Sequence, residues 1–165
     1  MPDTIYRQAI FVTLEKQLCL LANRVALIKK RQPGRYAQHP HTKLLATVVK
    51  AIEDSARDPL SQLYQLGKTM GKEYTGWRRC KKGRYRLFFR FRSVEKICVY
   101  AWLNDENTLR KDGGKTDVYV VFRHLLDSGI IPSKFIELLQ RSRYWDELEK
   151  KHPALKYFHL YCKNP

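Results

Sequence analysis

The run Tyr85-Arg86-Leu87-Phe88-Phe89-Arg90-Phe91-Arg92 constrains this chain more than any other stretch. Side chains alternate across a β-strand. Tyr85, Leu87, Phe89 and Phe91 therefore share one face, and Arg86, Phe88, Arg90 and Arg92 share the other. The first face needs an apolar layer against it. The arginine face is expected to look away from a core. Turn signals at Lys82-Gly83 and from Ser93 to Glu95 bound the strand. Segment 76–81 and the run Ile97 to Leu103 read as its antiparallel neighbours, and 63–67 reads as another short strand before the loop from Gly67 to Gly76.

Helical spacing occupies both flanks of this meander. Phe11, Leu14, Leu18, Leu21, Val25 and Ile28 form a narrow apolar seam, which predicts one long helix over 5–31. Pro33-Gly34 stops it. A second helix is expected over 41–57, with Leu45, Val48, Val49, Ile52 and Ala56 inward, and the short connection makes the two a hairpin. Val118, Val121, Phe122, Leu125 and Leu126 predict a helix over 117–128, capped by Thr116 or Asp117 and ended by Gly129. Ser133 is expected to cap a last helix through about residue 151, stopped by Pro153. The aromatic tail Tyr157-Phe158-His159-Leu160-Tyr161 is expected to pack on the body or on a partner. Helix, helix, meander, helix, helix is an α+β order, read as one domain over 1–165.

At 165 residues the chain can bury a core without disulfides or metal. Cys19, Cys80, Cys98 and Cys162 form no C-x-x-C pair, which favours a reduced, cytoplasmic setting. The N-terminus lacks the pattern of a signal peptide, and no run of apolar residues suits a membrane span.

The charge is the unusual part of the composition. Net charge is +16, and residues 66–116 hold 14 basic against 5 acidic side chains. Basic strands with interleaved aromatics point to a polyanion partner, foremost nucleic acid. On the preceding strand Trp77, Arg79 and Lys81 share one face and Arg78, Cys80 and Lys82 the other. Pairing across Gly83 brings Arg79 or Lys81 beside Arg86, a repulsion that a bound phosphate would offset. The alternative is that the arginines pair with acids such as Glu95 or Asp105.

The stretch NDENTLRKDGGKTDVY, residues 104–119, leaves a strand and enters a helix N-terminus, which places Arg110, Lys115 and Tyr119 near an anion site. Gly113-Gly114-Lys115-Thr116 resembles the end of a P-loop, but Leu109 stands where its first glycine belongs. Asp105 and Glu106 fit turn caps or arginine partners better than general bases. No histidine lies in a metal or nucleophile motif, and no cofactor is expected. Cleavage of RNA needs neither, because the 2′-hydroxyl can attack its own phosphate when charge, positioning and proton transfer are supplied.

Three blocks carry a resemblance: Tyr85 to Arg90, Trp102-Leu103-Asn104-Asp105-Glu106-Asn107-Thr108-Leu109-Arg110, and Lys115-Thr116-Asp117-Val118-Tyr119. Together with Thr42 to Ala46 and Trp77-x-Arg79-x-Lys81, they resemble the YhaV-type toxins of the RelE superfamily over roughly residues 35–132. The resemblance implies a RelE-like, microbial-RNase-type fold, with a helical hairpin on a small antiparallel sheet and C-terminal helices after it. It implies an endoribonuclease that cuts messenger RNA on the ribosome. Carried over by position, it implies catalytic roles for Arg79, Lys81, Arg86, Arg110, Lys115 and Tyr119. Arg78, Lys82, Arg84, Arg90 and Arg92 are then expected to bind RNA. The implied partners are a PrlF-like antitoxin of the swapped-hairpin DNA-binding type and, only as the toxin–antitoxin complex, operator DNA. The other readings of the same charge map are a non-catalytic nucleic-acid-binding module or repressor subunit, and a scaffold for an acidic protein.

Overall fold

A computed structural model of the chain describes residues 5–67, 69–109, 111 and 114–155. In chain order the elements are β1 (Arg7–Phe11), α1 (Val12–Arg31), α2 (Pro40–Arg57), β2 (Arg78–Lys82), β3 (Tyr85–Arg92), β4 (Ile97–Leu103), α3 (Val118–Asp127), α4 (Phe135–Gln140), β5 (Ser142–Tyr144) and α5 (Trp145–Lys151). One five-stranded sheet has the order β2-β3-β4-β1-β5. The meander β2-β3-β4 is antiparallel, β1 runs parallel to β4, and β5 closes the far edge antiparallel to β1. The fold is α+β, as expected. No described helix is long and apolar enough to cross a membrane.

Both faces of the sheet are covered. The α1–α2 hairpin lies over Leu87, Phe89, Cys98 and Tyr100, contributing Leu14, Leu18, Val25, Leu45, Val49 and Ile52. The other face carries a second core, in which Trp77, Phe88, Val99 and Trp102 meet Phe122 of α3 and Phe135 of α4. Phe88 stacks on Phe122 at 3.9 Å between ring centroids. The alternation read in β3 is therefore correct, but its arginine face does not look away from a core. Guanidinium groups lie over aromatic rings there: that of Arg90 is 5.7 Å from the Trp77 ring centroid and that of Arg92 is 4.6 Å from the Phe135 ring centroid.

Three boundaries differ from the sequence reading. The helix predicted over 5–31 begins as β1, whose Ile10 and Phe11 are buried in opposite cores. Phe11 fits the helical seam only because it stands three residues before Leu14. The last predicted helix is broken by β5, which pairs with β1 from Ala9 to Phe11, and Lys134 rather than Ser133 precedes α4. Segment 63–67 makes a 3-10 turn over Gln62–Tyr64 and a single bridge from Gln65 to Arg78 rather than a strand. The aromatic tail and Cys162 lie outside the described residues.

Candidate active site

The site begins at the β2–β3 hairpin. Gly83, at φ +58°, takes the left-handed conformation of the tight turn. The register then sets Lys81 across from Arg86 and Arg79 across from Phe88, all four on the face beneath α3. A register shift in β3 and β4 at Phe88/Phe89 puts Ala101 and Trp102 together in the second core. It also brings Asn104 to the level of Arg86, where the amide replaces the ladder. Asn104 Oδ1 accepts from the Arg86 backbone N–H at 2.6 Å, and its Nδ2 donates to the carbonyls of Arg84 at 3.2 Å and Thr108 at 3.0 Å.

From above, α3 supplies Tyr119. Asp117 caps this helix, accepting from the Tyr119 N–H at 3.2 Å and from the Lys111 N–H at 2.6 Å. The Arg86 Nε donates to the Tyr119 hydroxyl at 3.0 Å, and its Nη1 donates to the carbonyls of Gly83 and Tyr85, both at 2.8 Å. Its Nη2 makes no hydrogen bond to a described residue. Arg79 comes from the other side, 5.7 Å from the Tyr119 ring, with its Nη1 donating to the Gln65 carbonyl. Arg79 is 7% exposed, Arg86 8% and Tyr119 4%.

Neither arginine has a carboxylate partner among the described residues. Buried cations are normally paired, and two in one place without acids cost stability. An anion would repair that deficit, and guanidinium forks match the geometry of phosphate oxygens.

The structure gathers Arg79, Lys81, Arg86 and Tyr119 into one place. Lys115 is exposed in the turn before α3, and Arg110 lies outside the described residues. The five residues expected to bind RNA are dispersed. Lys82 and Arg84 are exposed at the hairpin tip. Arg78 is half-buried on the opposite face, 5.4 Å from the Phe91 ring. Arg90 donates to the Ser133 carbonyl, and burial, with Arg92 nearby, lowers its pKa. Arg92 pairs with Glu95 at 3.5 Å, the alternative that the sequence left open. Asp105 caps its turn through Asn107 and Thr108, and Glu106 reaches His41 at 3.6 Å. Asn104 was missed as a positioning residue. Its signal was an amide at the end of a buried strand, where a side chain that both donates and accepts can replace lost ladder bonds. Among the described residues no group of three or more His, Cys, Asp or Glu side chains could hold a metal.

Comparison with known proteins adds to this geometry. No solved structure matches the chain. Toxin YhaV of Escherichia coli O6:H1 is 41% identical over 126 residues, covering 74% of this chain and 82% of the relative. Ribonuclease toxin YhaV of Escherichia coli K12 is 40% identical over the same shares. A family model described as a toxin with endonuclease activity, of a toxin–antitoxin system, matches residues 6–143, from β1 into β5 and including the whole arginine–tyrosine cluster. The chain thus belongs to the YhaV toxin family, the endonuclease toxins of toxin–antitoxin systems.

Proposed function

We propose that this chain is a cytoplasmic ribonuclease that cuts messenger RNA on the ribosome, by attack of a ribose 2′-hydroxyl on the adjacent phosphate. The observation that carries the reading is a pair of buried arginines beside one tyrosine, neither with a carboxylate partner among the described residues. Arg86 Nη2 and the Arg79 guanidinium bind the nonbridging oxygens and stabilise the charge that builds on them in the transition state. Arginine is a poor proton acceptor, so the amine of Lys81, across the ladder from Arg86, takes the 2′ proton in its neutral form. The bond from phosphorus to the 2′ oxygen forms while the bond to the 5′ oxygen breaks. The Tyr119 phenol gives its proton to the departing oxygen, leaving a 2′,3′-cyclic phosphate and a 5′-hydroxyl. The name of the K12 relative, a ribonuclease toxin, favours RNA over DNA.

Membership of a toxin–antitoxin family implies a cognate antitoxin. The basic segment 66–116 suits an acidic inhibitory stretch laid over the RNA site. A PrlF-like antitoxin, with operator DNA bound only by the complex, completes the proposal.

Tyr119→Phe tests the mechanism with the least disturbance, since it removes one oxygen and keeps the ring. Turnover on RNA should fall by about 10²- to 10⁴-fold while RNA affinity holds. Wild-type cleavage by this variant would remove Tyr119 from the chemistry. Mapping 5′ ends on translated against purified messages tests the ribosome requirement, because cuts confined to translated messages are expected.

A further inference from the structure

β2 is an edge strand, and among the described residues only its first residue is bridged on the outer side, by Gln65. Beyond that bridge the Gln62–Tyr64 turn diverges from the strand and opens a cleft of about 570 Å³ along Arg79, Cys80, Lys81 and Lys82. The acid in its lining, Asp54, is already paired with Lys50 at 3.2 Å. Arg79 lies between this cleft and Tyr119. It is more than nine-tenths buried, and its Nε is buried with no hydrogen-bond partner among the described residues. An internal carbonyl, from Gln65, satisfies one of its other nitrogens. A buried guanidinium N–H left unpaired at the wall of a cleft is costly unless an acceptor enters.

We propose that this cleft is a second phosphate subsite, holding a backbone phosphate of the RNA that flanks the one being cut. The inference rests on reading Arg79, Arg86 and Tyr119 as the nuclease site. Arg79 serves both phosphates, one through each edge of its planar guanidinium. Lys81 and Lys82 project to opposite faces of β2, so a strand that meets both must wrap around the sheet edge. The RNA path thus runs from Tyr119, past Arg79, into the opening opposite Leu63. Phosphate is favoured over an acidic peptide because the cleft continues from the cleavage site through a shared residue and its flanking glutamines are uncharged.

Leu63 is 78% exposed on the far wall of the cleft and takes no part in the cleavage site, so charge can be placed there without touching the chemistry. The experiment measures binding of uncleavable 2′-O-methyl RNA to the full chain and to its Leu63→Glu and Leu63→Lys variants. One oligomer spans only the cut site, and a second extends beyond it. Wild type should bind the longer oligomer more tightly. Leu63→Glu should weaken that binding about threefold, Leu63→Lys should strengthen it by about the same factor, and neither should alter the short oligomer. Unchanged binding of the short oligomer by Leu63→Glu rules out misfolding as the cause of its loss.

Equal affinity of wild type for both oligomers, or no response to either variant, overturns the subsite. Equal shifts on both oligomers also overturn it, since they report a diffuse field. Should Tyr119→Phe retain full cleavage while the Leu63 variants move the longer oligomer in opposite directions, the catalytic assignment falls and the subsite stands.

Discussion

Arg86 is held by three acceptors of its own chain, the carbonyls of Gly83 and Tyr85 and the hydroxyl of Tyr119, before any substrate arrives. Its burial makes these bonds structural as well as preparatory. Arg86→Ala should therefore abolish cleavage and also lower stability by about 1–3 kcal/mol, because buried acceptors lose their donor. Urea unfolding beside Tyr119→Phe separates the two effects, since the tyrosine variant loses one hydrogen bond and should unfold within about 1 kcal/mol of wild type. An Arg86→Ala midpoint equal to wild type would mean that the buried bonds contribute nothing net. The sequence alone predicts that outcome, because it sets Arg86 on a face turned from the core. Strand alternation correctly identified which side chains share a face. It carried no information about what covers the face, because Tyr119 lies 33 residues farther along the chain. Asn104 was hidden for a related reason: its three bonds join a hairpin turn, a strand and a loop that meet only after the sheet forms.

The elements that the sequence missed are β1 and β5, and each is defined by the other. β5 is three residues long and polar, Ser-Arg-Tyr, and is too short for periodicity to appear. β1 is five residues long and buried toward both faces, so it shows no clean alternation and merges with the seam of α1. What fastens this edge is Glu15 in the first turn of α1. Its carboxylate lies 3.4 Å from Arg143 of β5, 3.6 Å from Lys151 of α5 and 3.5 Å from His152. One acid thus ties the start of a helix to two elements more than a hundred residues away in sequence. Glu15→Gln keeps the shape and leaves Arg143 and Lys151 without this counter-charge, so it should cost about 1–3 kcal/mol. Hydrogen exchange should speed up first over 142–152, with β2 and β3 unchanged. Uniform acceleration across the sheet would show instead that the edge is not a separable unit. The middle of the chain was easier to read because tight turns join β2, β3 and β4, so their pairing is local.

At the scale of the whole molecule, a net charge of +16 suggests a very steep dependence of RNA binding on salt. The structure argues for a moderate one. Many cations are engaged within the fold: Arg7 lies 3.4 Å from the Tyr144 ring, Arg90 and Arg92 clamp the segment around Ser133 and Phe135, Arg123 donates to the Met70 carbonyl, and Arg143 and Lys151 share Glu15. The proposed path leaves Arg79, Lys82 and Arg86 to neutralise phosphate, because Lys81 acts there as the neutral base. Each such contact on a single strand changes the slope of log affinity against log salt by about −0.7, so about three contacts give a slope of about −2. Lys82→Gln should reduce its magnitude by about 0.7 for the longer oligomer and leave the short one as it was. Titration of 2′-O-methyl RNA over a range of salt concentrations measures both slopes. A slope near −10 would assign binding to the whole basic surface, because localised contacts of this number cannot release so many counterions. A slope near −2 that falls in the Lys82 variant places the RNA along the sheet edge.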